Sequence, residues 1–333
     1  MTKRALCVSV VVPTFKRPDL LERCLAALLA QHFPPTRYEI LIIDDANCAT
    51  TRQQVEHRAK QVRACGHTLR YVPVIHHNHV HGPAIARNLG WQAARGEIIA
   101  FTDDDCIPEP DWLQAGVAAL KDGAMAASGR VHMPLSDEKL PTDYEYNAAH
   151  LAQSEFVTAN SFYCREALAL VGGFDERFTS AWREDSDLYF TLLEQGISCV
   201  QAPDAVVIHP VRPARRGIGL RQQSKSMFNA LLYKKHPVLY RKKIQATPPW
   251  HYYGILGAAL LACLGISKRS AFLTYGGAGL WLYQTLRFCM QRLRHTSHAP
   301  EHVLEMLVTS ALIPPLAVFW RLRGAVKFRV FFL

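Results

Sequence analysis

The sequence predicts an α/β fold built on a mostly parallel central sheet. Three observations lead there: nearly unbroken apolar, β-branched runs of strand length, leucine patterns of helical period between them, and acidic residues gathered where the runs end. A strand covered on both faces reads as a continuous apolar run, and strands alternating with helices call for a doubly wound arrangement.

Residues 5–12 (ALCVSVVV) supply the first strand, stopped by Pro13 and Thr14. Pro18 stands where a helix starts without needing an amide donor, and LLERCLAALLAQ then repeats leucine at helical spacing. EILIID at 39–44, LRYVPVI at 69–75 and EIIAFTD at 97–103 are the next three strands, with a helix over 84–95 between the last two. Ligands of such sheets sit beyond the carboxyl ends of the strands. There stand Thr14, Lys16 and Arg17, then Asp44 and Asp45, then Asp103, Asp104 and Asp105. Gathered carboxylates repel unless neutralised, and a divalent cation carrying a diphosphate does this with the hard oxygen ligands that suit Mg²⁺ or Mn²⁺. In an extended stretch residues two apart point the same way, so Asp103 and Asp105 are expected to share a ligand while Asp104 faces elsewhere. The loop after the first strand, PTFKRPD, lacks glycine, which excludes a dinucleotide fingerprint and a Walker lysine loop there.

Of the 333 residues 49% are apolar, enough for one large domain with or without an appendage. The nine cysteines form no Cys-x-x-Cys pair, so neither a zinc site nor a disulfide framework is expected. The apolar run that opens the sequence is too short for a signal peptide. The net charge of +10 is divided: residues 1–204 carry −7 and residues 205–333 carry +17, with Glu301 and Glu305 the acids of the latter part. Because that basic part also holds the long apolar runs, it suits an anionic membrane surface, and nothing in it has the spacing of a nucleic-acid-binding motif.

Four segments in order, VSVVVPTFKRPDLLERCLAALLAQ, ILIIDDA, NHVHGPAIARNLGWQAARGEIIAFTDDDCIPEPDWL and VGGFDERFTSAWREDSDLYFTLLEQG, resemble the inverting glycosyltransferase family 2, over roughly residues 5–212. The resemblance implies the GT-A nucleotide-sugar-binding fold over 1–225, followed by a basic, apolar helical region at 226–333. It implies that Thr14 and Asp45 contact the nucleoside of a uridine or other nucleoside diphosphate sugar, with Asp44 supporting the loop, and that Arg87 reaches base or diphosphate. Asp103 and Asp105 match the family's Asp-x-Asp, Asp103 beside the donor ribose and sugar and Asp105 directly on Mn²⁺ or Mg²⁺. His209, after the apolar run AVVI, resembles the histidine that completes metal coordination in some members.

In GGFDERFTSAWREDSDLYFTLLEQG, Gly172 and Gly173 permit a tight turn, Phe174 is expected to fill the core, and a helix over 185–194 buries Leu188 and Leu192. Glu184 and Asp185 then stand at a helix N-terminus, where the helix dipole favours negative charge. Inversion needs one displacement and one base, and by resemblance Asp185 is that base, Glu184 orienting the acceptor or the helix start. The Gln-x-x-Arg-Trp motif of polymerising members is absent, so one sugar per encounter is expected. The basic stretch 212–225 reads equally as a mobile lid around Gly217 and Gly219 or as a solvated, lipid-facing basic loop.

Three further apolar stretches, 250–266, 271–286 and 303–320, lie near or below the ~20 residues that cross a bilayer, with Trp and Tyr at their edges. Three full crossings from a cytoplasmic catalytic domain would place Lys268, Arg269 and the 321–329 basic cluster outside, against the usual bias. A shallow hairpin from the first pair, with the third stretch broken at Pro314–Pro315, removes the conflict and favours monotopic attachment to the cytoplasmic face over short spanning segments. A glycan or polyprenyl-linked acceptor follows by association. A sugar-nucleotide-forming nucleotidyltransferase, or a non-catalytic scaffold of the same fold, are the competing functions; the first wants a glycine-rich loop after the first strand, and the second has no use for Asp103, Asp105 and Asp185 together.

Overall fold

In the structure, a computed structural model, residues 7–75, 81–136 and 138–333 are described. Ala5 and Leu6 of the expected first strand and Asn78, His79 and Val80 of the third family-like segment lie outside them. The first half of the chain runs β1 (Val8–Thr14), α1 (Pro18–Leu29), β2 (Tyr38–Asp44), α2 (Ala49–Arg63), β3 (Thr68–Pro73), α3 (Pro83–Ala93), β4 (Ile98–Phe101), β5 (Ile107–Pro108), α4 (Trp112–Ala119) and β6 (Ala126–His132). There follow α5 (Asp143–Ala149), β7 (Ser161–Cys164), α6 (Arg165–Val171), α7 (Glu184–Glu194) and β8 (Cys199–Ile208). The remainder is helical: α8 (Ile218–Gln222), α9 (Phe228–Lys235), α10 (Pro237–Lys243), α11 (Trp250–Ser267), α12 (Ala271–Leu293) and α13 (Pro300–Phe328). The chain forms two units, one of Met1–Pro134 with His150–Pro210, the other of Leu135–Ala149 with Val211–Leu333. Residues 211–225, expected with the first domain, therefore group with the second unit.

In the first unit an eight-stranded sheet has the order β3-β2-β1-β4-β7-β6-β8-β5. The first four strands are mutually parallel, β7 is antiparallel to both neighbours, and β6 pairs parallel with β8. Alternation along β1 explains the double cover. Val8, Val10 and Val12 join Leu21, Leu25 and Leu28 of α1 and Val55 of α2 in one core. Val11 faces the opposite side, where a Cβ on Gly90 of α3 would lie 2.3 Å from Val11 Cγ1 and 3.1 Å from Ile43 Cγ1. A glycine is needed there for helix and sheet to meet this closely. Gly172 and Gly173 both have φ of +77° and make the expected turn, and Phe174 is buried against Phe101 with ring centroids 5.3 Å apart.

In the second unit, α11 and α12 form a hairpin joined through Lys268–Ser270. They approach backbone to backbone: a Cβ on Gly265 would lie 2.3 Å from Thr274 N, and one on Gly277 2.4 Å from Ala262 N. Small residues at a helix contact with large apolar residues outward is the reverse of a water-soluble pair, and suits helices that meet in lipid. Leu260, Ile266, Phe272 and Tyr275 are all exposed. α11 and α13 are long and apolar enough to cross a membrane by length and composition. The expected break at Pro314–Pro315 is not present. α13 continues through both prolines, because Ser310, Ile313, Ala317 and Val318 are buried on either side of them and packing holds one helix. Against the mobile-lid reading, the basic stretch is tied down in the same unit, Arg216 pairing with Glu301 and the Gly217 N–H donating to Glu305 Oε1 at 2.8 Å.

Candidate active site

The register of the parallel strands sets the site. Thr14 ends β1 opposite Asp44 at the end of β2, so both loops leave the sheet at one rim. Asp44 is fully buried and its carboxylate accepts from the Ala46 N–H (3.0 Å), the Cys48 N–H (2.7 Å) and the Tyr71 hydroxyl (2.9 Å). These bonds fasten the loop that follows β2. Asp45 accepts from the Gly82 N–H at 3.2 Å just before α3, with His81 3.6 Å away.

The acid triplet after β4 is not extended. The Cys106 N–H donates to the Asp103 carbonyl at 3.1 Å, closing a turn, so the alternation argument for Asp103 and Asp105 does not apply. The three carboxylates fan out instead. Asp103 Oδ1 accepts from Arg87 at 2.9 Å. Asp104, only 2% exposed, accepts from the Thr14 hydroxyl at 2.7 Å and from Arg17 at 3.3 Å, and burial pushes its carboxyl up to about 6 despite those two partners. Asp105 Oδ1 stands 3.6 Å from His209 Nε2.

Arg87 joins the two acidic segments. One guanidinium nitrogen donates to Asp103 and the other to Glu184 Oε1, each at 2.9 Å, and the residue is 3% exposed. Burial alone would depress its basicity, but the two carboxylates outweigh that and raise it. Glu184 also accepts from the Trp182 N–H at 2.7 Å, and burial with the Asp185 charge lifts its carboxyl to about 7. Arg183, in the left-handed region at φ 75°, precedes α7 and lets Glu184, Asp185 and Asp187 fill the first turn. Asp185 Oδ1 accepts from the Ser186 N–H at 2.6 Å, and burial raises its carboxyl too.

His209 is brought to Asp105 by a pairing of strands. Ile107 of β5 lies opposite Ile208 of β8, which sets the residues just before one strand and just after the other side by side. Asp105, Cys106 and His209 each offer a ligand atom within 4.8 Å of the others, and all three are buried. Nδ1 of His209 is buried without a hydrogen-bond partner among the described residues, and Nε2 faces a carboxylate beyond hydrogen-bond range. A carboxylate and an under-satisfied imidazole in this relation fit a divalent cation such as Mn²⁺. Cys106 is a neutral core thiol, its burial pushing it well above the ordinary value.

The model for glycosyl transferase family group 2 matches residues 98–321, and that for glycosyl transferase family 2 matches residues 9–167. The chain belongs to glycosyltransferase family 2. It is 26% identical over 223 residues to the glycosyltransferase AglE of Haloferax volcanii, covering 64% of this chain and 70% of that one. It is 28% identical to the pre-mycofactocin glycosyltransferase of Mycobacterium tuberculosis, over 69% of this chain and about half (48%) of the relative. Among solved structures, the mannosyltransferase PcManGT of Pyrobaculum calidifontis, described in complex with GDP-Man and Mn²⁺, matches with a TM-score of 0.60 at 20% identity, over 98% of this chain and 88% of that one. S. aureus TarS 1–349 matches at 0.50 and 17% identity, over 97% and 91%. These neighbours establish the GT-A fold.

For this family 2 glycosyltransferase, the sequence reading named Thr14, Asp45, Arg87, Asp103, Asp105, Glu184, Asp185 and His209. The structure joins Asp103, Arg87 and Glu184 by direct bonds and sets Asp105 beside His209. Thr14 bonds to Asp104 and Asp45 to Gly82, while Asp185 bonds within the first turn of α7. Asp104 as a buried tie, and Cys106 beside His209, were missed. The signal for Asp104 was present: Thr14 and Arg17 at one strand end supply the hydroxyl and the charge that a buried carboxylate requires.

Proposed function

We propose that this glycosyltransferase moves a single sugar, with inversion, from a nucleoside diphosphate sugar to the hydroxyl of a glycan or polyprenyl-linked acceptor, in surface polysaccharide or glycolipid synthesis. The observation that carries the reading is the Arg87 bridge, in which a single guanidinium bonds both Asp103 of the acid triplet and Glu184 at the start of α7. Donor chemistry is supported by the neighbours described with GDP-Man and Mn²⁺ and with UDP-GlcNAc.

Asp185 takes the proton of the acceptor hydroxyl while its oxygen bonds to the anomeric carbon. The bond from that carbon to the diphosphate breaks in the same displacement, and its electron pair leaves with the diphosphate. One displacement inverts the centre and needs no enzyme nucleophile. Glu184, fixed by Arg87 and the Trp182 N–H, holds the helix start and the acceptor side in register. Thr14 and Asp45 flank the nucleoside end of the rim. Asp103, Asp105 and His209 are the residues that would hold Mn²⁺ or Mg²⁺, which supplies Lewis-acid stabilisation of the leaving group. The outward apolar residues of the α11–α12 hairpin and the basic surplus of residues 205–333 support monotopic attachment to the cytoplasmic face of the membrane.

The test incubates the full chain with Mn²⁺ or Mg²⁺, a panel of nucleotide sugars and membrane lipid extract, reading nucleoside diphosphate and transferred sugar. Asp185→Asn is expected to keep donor affinity and lose transfer by about 10²–10⁴-fold. Full transfer by that variant removes the base assignment. Release of the chain by alkaline extraction removes the membrane attachment.

A further inference from the structure

Resting on the membrane attachment proposed above, we infer that the C-terminal half of α12 carries a groove for the headgroup of an anionic phospholipid. An open cavity of about 430 Å³ is lined by Arg287, Met290, Gln291, Leu293, Arg294 and His298. Arg287, Met290, Gln291 and Arg294 follow one another at intervals that share a helix face.

Arg292, in the same turn, shows what an arginine with a structural task does. Its guanidinium turns inward and donates to Asp143 at 2.8 Å and to the Thr309 and Ser310 hydroxyls at 2.8 and 3.0 Å. Arg287 and Arg294 are exposed, and neither enters an ion pair among the described residues. Nor is a carboxylate near in sequence left to serve them, because Glu301 and Glu305 are held by Arg216 and the Gly217 N–H. The negative end of the helix dipole accounts for an arginine at the α12 terminus, but it fades within one turn and leaves Arg287 unexplained.

The apolar residues in and beside the groove say which anion fits. Met290, which lines it, is 62% exposed, and Tyr283 and Leu286, which continue the same helix face outside it, are 62% and 40% exposed. A soluble phosphate would leave these in water. A phosphodiester lipid sets its phosphate oxygens against two guanidinium forks and its glycerol and acyl carbons against Met290, Leu286 and the Tyr283 ring. Tyrosine at such a boundary has its ring in the apolar layer and its hydroxyl in the headgroups.

The experiment measures sedimentation of the full chain with phosphatidylcholine vesicles, with and without phosphatidylglycerol, after circular dichroism shows each variant folded. Arg287→Gln/Arg294→Gln is expected to weaken binding to the phosphatidylglycerol vesicles by about 30-fold and to leave binding to phosphatidylcholine unchanged. Lys242→Gln/Lys268→Gln removes the same charge from two other exposed positions and is expected to cost several-fold less. Equal losses from the two pairs mean a diffuse field and overturn the groove, as does full competition by inorganic phosphate. If the unaltered chain binds both vesicle types while Arg287→Gln/Arg294→Gln changes nothing, the groove falls and the attachment stands. A chain that binds neither vesicle removes the attachment, and the groove with it.

Discussion

Replacing Arg87 by methionine removes a cation that bonds to both Asp103 and Glu184, at 2.9 Å each. The side chain of Glu184 is 4% exposed and that of Asp103 27%, so most of the cost falls on Glu184. Breaking a buried ion pair from one side typically costs about 3–5 kcal/mol. Glu184 has an escape, however, since burial already lifts its carboxyl to about 7 and losing Arg87 lifts it further. Proton uptake then neutralises the orphan, and the loss becomes pH-dependent. We expect about 3 kcal/mol at pH 8, a fall in Tm of roughly 6–12 °C, and about half of that at pH 5.5. Thermal unfolding followed by near-ultraviolet circular dichroism at the two pH values reads both. Adding Glu184→Gln to Arg87→Met is expected to recover about 1–2 kcal/mol, because the buried charge has gone with its partner. A variant melting within about 2 °C of the unaltered chain at both pH values refutes the reasoning, as does a double variant that recovers nothing.

Asp105→Ala and His209→Ala are each expected to weaken Mn²⁺-dependent donor binding by about 10–100-fold while leaving metal-free binding unchanged, read by calorimetric titration with and without the ion. With Asp185 as the proposed base and burial raising its carboxyl, kcat/KM is expected to rise with pH above the usual carboxylate range near 4. Stability moves the other way through Glu184. The folded chain holds the Glu184 proton more tightly than the unfolded chain, so this group's contribution declines as pH rises from about 4.5 to about 7 and is flat beyond, a trend that Glu184→Gln should remove. Gly90→Ala forces a Cβ to within 2.3 Å of Val11 Cγ1 and is expected to cost about 1–3 kcal/mol in thermal unfolding with little change in donor affinity.

The parallel half of the fold was legible because burial on both faces writes itself into composition. The ranges 39–44, 69–75 and 97–103 fall on β2, β3 and β4 within three residues at either end. The other half of the sheet was legible only in the AVVI run of β8. β5 has two residues and β7 four, too few for a period to show, and β6 (AASGRVH) mixes small and polar residues because Gly129 has Asn160 and the Ala205 carbonyl against it. The acids of the site could be read one by one, since charge beside a buried strand is conspicuous. Their connections depended on tertiary structure. Arg87 in a helix gives no local sign that it reaches across to α7, and His209 meets Asp105 only through the β5–β8 register. Pro314 and Pro315 misled for the same reason, packing holding a helix that propensity would break.

The turn through the acid triplet explains why three consecutive aspartates can all be used. In a strand, neighbouring side chains point to opposite faces, so an extended triplet would offer two carboxylates to the rim and lose the third to the far side. The bond from the Cys106 N–H to the Asp103 carbonyl bends the chain, and the three side chains diverge from one corner. Asp103 then reaches α3 and through Arg87 the start of α7, Asp104 fastens the end of β1, and Asp105 meets the end of β8. Four segments distant in sequence are positioned by one bend. Charge count alone would not do this: the same three acids on a straight strand would leave Thr14 and Arg17 without their buried partner, and Arg87 and His209 with at most one shared face between them.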